Sequence, residues 1–211
     1  MRIGIIFYED VEPIEVGILG TLSMARRVAP EIAFHTLSAQ GEMVTLRNGV
    51  GIQTDFSFDN APETDITLIT GGPGWQEQIK NQQLLDFLVR RHEQGNTVVS
   101  VCTGAMILGA AGLLKNRHVT TKAVYASPEH PPFDSLANIE PTCQIDSALL
   151  VDEGDIITGG GVSLCVDLTL YLLERFLGSE TSDEVAKIME YSAARAANQA
   201  RLPILGSAIS V

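Results

Sequence analysis

With 211 residues, 45% of them apolar, the chain is long enough for one α/β domain with a substantial core and short for two, so residues 1–211 are expected to form one domain. A formal charge of −12, uninterrupted by any basic run, opposes partnership with nucleic acid or an anionic membrane. No window approaches the roughly 18 apolar residues of a membrane span, and the run Ile3–Phe7, followed by Glu9 and Asp10, is too short for a signal-peptide core, so a cytoplasmic protein is expected.

Arg2–Phe7 is nearly continuous in apolar residues and reads as a first buried strand. The acidic loop Tyr8–Glu12 follows, with Pro13 suited to the first helical position. A helix is predicted over Ile14–Val28, its apolar stripe running through Ile14, Ile18, Leu22 and Ala25. Glu15 falls on or beside that stripe, with Ile18, Leu19 and Leu22 as its i+3, i+4 and i+7 neighbours. A carboxylate there is either a capping acid favoured by the helix dipole or a proton carrier with a raised pKa. Glu9, Asp10 and Glu12 are expected in solvent.

Ile32–Leu37 alternates as a second strand, and Asn48-Gly49 within Glu42–Gln53 signals an antiparallel hairpin. Asp65–Thr70 reads as a third parallel strand ending in Gly71-Gly72-Pro73-Gly74-Trp75, a turn whose backbone N–H groups can approach a ligand. It fits no phosphate fingerprint. A surface helix is expected over Asn81–Gln94.

Thr97–Val101 is a β-branched run of the kind a central strand uses, and Thr103–Leu114 reads as a helix, packed close to the sheet through Gly109–Gly112. Cys102 stands at the joint. Ser100-Val101-Cys102-Thr103-Gly104 follows the nucleophile-elbow pattern with serine in place of the first glycine. A thiol aimed at a helix N-terminus is expected to ionise more easily; otherwise Cys102 is a small buried hydrophobe, as most free cysteines are. Cys102, Cys143 and Cys165 are widely spaced without C-x-x-C, which suggests neither disulfides nor a structural zinc.

Farther on, His118–Lys122 is a short strand, Ser127–Phe133 a loop, and Thr142–Asp146 and Leu149–Asp152 a strand pair. Asp152–Asp155 forms a turn into a strand over Ile156–Thr158. Gly159-Gly160-Gly161 leads to a very apolar helix, Ser163–Leu177, covered by the sheet and by other helices or a second subunit and stopped by Gly178. Thr181 or Ser182 is expected to cap a helix over Glu184–Ala197, and Arg201–Val211 to form a tail docking on a partner subunit. Strands alternating with helices imply a parallel sheet covered on both faces, with ligands bound outside the strands' carboxyl ends. The loop before Glu15, the Gly71–Gly74 turn and Cys102 should meet there.

On these residues, and on V-C-T-G-A-M-I-L-G-A-A-G-L-L (Val101–Leu114) and I-I-T-G-G-G-V-S-L-C-V-D-L (Ile156–Leu168), nearly all of the chain resembles the ThiJ/PfpI superfamily. Both segments are most similar to its isonitrile hydratase branch and to the ligand domains of AraC-type regulators. The resemblance implies a flavodoxin-like α/β fold, a three-layer sandwich with a mainly parallel central sheet and helices on both faces. It also implies a homodimer, a nucleophile at Cys102 followed by Thr103, an acid at Glu15 where the branch typically has aspartate, and an oxyanion-side turn at Gly71-Gly72. The implied reaction is hydration of a small carbon electrophile, such as an isonitrile, without metal or organic cofactor. The N–H groups of Gly72 and Thr103 are candidates to stabilise developing charge.

Two departures from the pattern stand out. The branch usually shows T-T-H-W where this chain has Thr120-Thr121-Lys122-Ala123, so a Cys-His dyad through that position is absent. His35, His92, His118 and His130 lack motif context and are expected in surface or loop roles. There is no C-terminal H-x-E of an amidotransferase triad, and the chain is too short and acidic for the helix-turn-helix region of an AraC-type regulator. A non-catalytic ligand or redox sensor is the alternative of a different class, with glyoxalase-type or protease chemistry a third.

Overall fold

A computed structural model describes residues 1–206. Its elements begin with β1 (Arg2–Ile6), a 3-10 turn (Pro13–Val16), α1 (Gly17–Ala25), β2 (Ala33–Ser38), β3 (Met43–Thr45), β4 (Gly51–Gln53) and β5 (Phe56–Ser57). The middle of the chain supplies β6 (Ile66–Ile69), α2 (Trp75–Gln78), α3 (Gln82–Glu93), β7 (Thr97–Val101), α4 (Gly104–Ala110), β8 (His118–Val119) and α5 (Pro132–Ile139). It closes with β9 (Gln144–Ile145), β10 (Leu150–Asp152), β11 (Ile156–Gly159), α6 (Leu164–Leu177), α7 (Ser179–Ile188), α8 (Ser192–Arg201) and β12 (Ile204–Gly206).

The central sheet runs β12-β10-β11-β7-β6-β1-β2-β5. Its neighbours are parallel except β10 with β11, giving the expected flavodoxin-like sandwich. The middle strands are apolar on both faces because helices cover both: every residue of β6 and β11 is buried. From β1 the chain moves to β2 on one side and returns to β6 on the other, so the strand order reverses between β1 and β6, where a crevice opens at the carboxyl ends. Among the described residues no helix is long and apolar enough to cross a membrane.

Several expected elements are revised. The helix expected from Ile14 opens instead as the 3-10 turn, which shifts the phase of its stripe: Ile18, Leu22 and Ala25 are buried, but Ile14 is 46% exposed and Glu15 fully enclosed. Thr142–Asp146 and Leu149–Asp152 do not pair with each other; β9 pairs in parallel with β8 as a separate ribbon, and β10 joins the main sheet. The strand expected over His118–Lys122 is only His118–Val119, and helix α5 begins within the expected loop, with proline at its start. The helix over Glu184–Ala197 is two helices, α7 and α8, separated where Glu190 adopts φ 54°. Neither Thr181 nor Ser182 caps: both hydroxyls donate backward, to the carbonyls of Leu177 and Leu170. Helix α6 is covered within its own chain by α1, α7 and the sheet. Gly109 packs on α5, not on the sheet. Of the tail, Ile204–Gly206 adds an edge strand to the chain's own sheet; residues 207–211 lie outside the described residues. The Asn48-Gly49 hairpin forms as expected, antiparallel with Gly49 at φ 87°.

Candidate active site

Four adjacent strands, β11, β7, β6 and β1, deliver the site from their carboxyl ends. Cys102, directly after β7, has φ 53°, a left-handed conformation costing a non-glycine residue roughly 1–2 kcal/mol. The surroundings enforce it. The Cys102 N–H donates to the carbonyls of Gly159 and Gly160, both at 3.1 Å, and the Thr121 hydroxyl donates to the Cys102 carbonyl at 2.7 Å. Two positions on, a Cβ at Gly104 would come within 2.8 Å of the Ile69 and Thr70 carbonyls, so the elbow's second glycine is a steric requirement. At the first glycine position Ser100 is buried and its hydroxyl has no partner among the described residues.

Cys102 is 2% exposed and lines a cleft, and the backbone N–H groups of Val162 and Thr103 favour negative charge on its sulfur. Behind it lies Glu15, fully buried by the 3-10 turn. Its Oε2 accepts from the Gly71 N–H, while Oε1 makes no hydrogen bond of regular geometry. Burial raises the Glu15 carboxyl to about 8, with the Gly71 N–H and the more distant Lys122 charge pulling the other way. Burial, and then the negative charge of Glu15, push the Cys102 thiol up as well, which corrects the expectation of an easily ionised thiol. Two N–H donors do not offset the loss of water around the sulfur. Two acids enclosed together give up one proton much more readily than the second. With Oε2 engaged by Gly71, Oε1 is the oxygen free to hold a proton. Burial and the same two acids also keep the Tyr8 hydroxyl protonated, donating to the Thr70 carbonyl at 2.9 Å.

Gly71 and Gly72 lie beside this pair as expected, with their N–H groups already engaged. Gly71 N–H serves Glu15, and Gly72 N–H donates to the Thr103 hydroxyl at 2.8 Å. The Thr103 N–H faces the sulfur, so the two donors expected to face a developing charge are turned to other tasks. Gly72 has φ 138°, and a Cβ there would fall 2.3 Å from the Glu12 nitrogen, which pins the glycine turn to the Glu9–Glu12 loop.

The cleft is small, about 90 Å³, and admits only a small molecule. Besides Cys102, Thr103 and Gly72, its wall includes Glu12, Trp75, Met106, Lys122 and Val162. Glu129 and His130 stand there too, so His130, expected in an unremarked loop role, belongs to the cleft wall. Val162, at φ 58°, lies between the glycine run and the helix expected from Ser163 and was not singled out; a turn after Gly159-Gly160-Gly161 at a strand's carboxyl end was the available signal. Glu129 and His130 carried none, because a long loop returns them from a distant point in sequence. Among the described residues no group of three or more His, Cys, Asp or Glu side chains is arranged to hold a metal.

Comparison with known proteins agrees with this geometry. Residues 1–175 match the DJ-1/PfpI family model. The chain is 28% identical over 194 residues to an isonitrile hydratase of Pseudomonas putida, covering 92% of this chain and 80% of that protein. It is 29% identical over 165 residues to the HTH-type transcriptional regulator GbdR of Pseudomonas aeruginosa, covering 77% of this chain but only 42% of the regulator. A crystal structure of a THiJ/PfpI family protein from Pseudomonas syringae superposes with a TM-score of 0.77 at 22% identity, over 90% of this chain and 75% of that one. A match over most of the chain, on a fold whose strand ends bring Cys102 and Glu15 together, makes the protein a member of the DJ-1/PfpI family.

Proposed function

We propose that the protein is a cysteine-dependent hydratase of small carbon electrophiles, isonitrile hydratase-like, in which Cys102 attacks and Glu15 carries protons. The observation carrying this reading is the pairing of a cleft-lining thiol with a buried carboxyl whose pKa is raised to about 8. An acid titrating there exchanges protons near neutral pH, and the thiol needs such a neighbour at the moment of attack. The likeness to an isonitrile hydratase supports the substrate class. The proposal includes the homodimer that the resemblance implies.

The cycle starts with one proton shared by the pair and resting on the Cys102 thiol; Glu15 takes it at the moment of attack, which leaves the thiolate and a protonated carboxyl. The sulfur's electron pair forms a bond to the terminal carbon of R–N≡C, and that carbon takes the Glu15 proton, giving a thioimidate. Water then adds to the same carbon; Glu15 takes a proton from it and passes one to the nitrogen. In the last step the new hydroxyl returns a proton to Glu15 as the carbon–sulfur bond breaks and its pair goes back to sulfur. The product is the N-substituted formamide, and the enzyme regains its starting state once Glu15 hands the proton back to sulfur. The N–H groups of Val162 and Thr103 favour charge on sulfur at both ends of the cycle.

The test is formamide production from cyclohexyl isonitrile, followed by chromatography. Cys102→Ser is expected to lose about a thousandfold or more of the turnover, and Glu15→Gln about a hundredfold. Full turnover by Cys102→Ser overturns the mechanism. A non-catalytic ligand or redox sensor is favoured instead by the internal engagement of the Gly71 and Gly72 N–H groups, which leaves neither free for an oxyanion. That reading expects ligand-dependent melting shifts or sulfenic acid at Cys102 with no turnover.

A further inference from the structure

We propose that Lys122 binds a carboxylate on the substrate, and that the Glu129 side chain takes that carboxylate's place within the chain. The proposal rests on the reading that Cys102 attacks a small carbon electrophile in this cleft. It narrows the class to electrophiles bearing a carboxylate next to the reacting group.

Lys122 is held where it is. The two residues before it are tied to the elbow, Thr120 N–H donating to the Thr158 hydroxyl at 2.8 Å and Thr121 to the Cys102 carbonyl at 2.7 Å. Its stem lies against the backbone of Gly161, where a Cβ would come within 2.7 Å of the Lys122 Cβ and Cγ. The side chain is only 16% exposed, uncommon for lysine, and among the described residues lining the cleft it is the one lysine or arginine. Its charge reaches the reacting pair, where it draws the Glu15 carboxyl down.

Glu129 is the exchangeable partner. It receives the Lys122 Nζ on both oxygens, at 2.7 and 2.6 Å, but is 43% exposed and stands on the irregular segment between β8 and α5, with one further bond from the Ala126 N–H at 3.3 Å. A surface-reaching ion pair of this kind contributes little to stability, so exchanging one carboxylate for another costs little. Glu129 can turn to water; Lys122 cannot leave the wall. The wall's other titratable side chains include Glu12 and His130, and among the described residues Lys122 is the one permanently cationic side chain there that a ligand carboxylate would pair with.

Iodoacetate and iodoacetamide test this without requiring turnover of any substrate. In both the cysteine sulfur displaces iodide, and they differ in carrying a carboxylate or a carboxamide. Peptide mass spectrometry reads the ratio of the two alkylation rates at Cys102, referred to the same ratio at Cys143, which does not line the cleft. In Lys122→Met the ratio is expected to fall about tenfold, the effect of one charge-assisted pair at short range, and Lys122→Arg to restore it. Glu129→Gln, which leaves Lys122 in place, is expected to raise it. An unchanged ratio in Lys122→Met, or a lowered one in Glu129→Gln, overturns the proposal. Failure of both reagents to reach Cys102 overturns the accessible nucleophile itself, and this inference with it.

Discussion

Glu15 is the residue at which burial and chemistry meet. Its carboxyl holds a proton up to about pH 8 in the folded chain, whereas in the unfolded chain it titrates near 4.5. Between those values the native state binds the extra proton, so stability falls as pH rises through the window, and the cost is fully present above it. Glu15→Gln removes the titration while its amide oxygen can still accept from Gly71. Its Tm relative to the parent is therefore expected to climb steadily from pH 5 to pH 8, as differential scanning fluorimetry would report. A constant difference across that range would show that the carboxyl is not held protonated. The same burial removes one of the two readings left open by sequence, since the carboxyl does not cap a helix. The 3-10 turn directs the carboxyl inward to the sulfur, and no helix N-terminus receives it. Periodicity on an α-helical repeat could not find this, because the repeat begins only at Gly17.

At the scale of an element, the β7–α4 elbow was legible to within a residue, since β-branched strand residues, a small polar joint and a following glycine each have a local cause. The price of the elbow is visible at its two small positions. Ser100 places in the core a hydroxyl without a partner among the described residues, so Ser100→Ala is expected to stabilise the protein by about 1 kcal/mol in urea unfolding. Gly104→Ala drives a Cβ into two carbonyls of the neighbouring strand end and is expected to cost about 2 kcal/mol in the same measurement. If both changes proved neutral, the elbow would be looser than its contacts imply. The short strands were less legible: β5 has two residues and β8 and β9 two each, too few for alternation to register. The break between α7 and α8 was hidden for a different reason, since a glutamate at positive φ leaves no glycine or proline to mark it.

Across the whole molecule, the sheet's far edge depends on one buried charge. Asp152, 1% exposed, accepts the Tyr171 hydroxyl at 2.6 Å and the Arg175 guanidinium at 2.7 Å, while Arg175 also reaches the Gly154 carbonyl at 2.7 Å. This ties α6 to the β10–β11 turn and supports the edge where β12 adds its strand. Arg175→Met leaves the carboxylate enclosed without its cation and is expected to destabilise the fold by about 3 kcal/mol in denaturant unfolding. A loss below about 1 kcal/mol would assign that edge to apolar packing alone.

The sequence by itself determined the layered α/β architecture, the elbow at Cys102 and the glycine turn, because each follows from residues close together in the chain: runs of apolar side chains, turn-forming glycines and a helix start. It also brought forward Glu15 as an acid of uncertain duty. Only the tertiary structure decided which way that acid faces, that Val162 and Thr103 present N–H groups to the sulfur, that the Gly71 and Gly72 N–H groups are already engaged, and that Lys122, Glu129 and His130 share the cleft. These depend on desolvation and on contacts between segments tens of residues apart, quantities that no local pattern encodes.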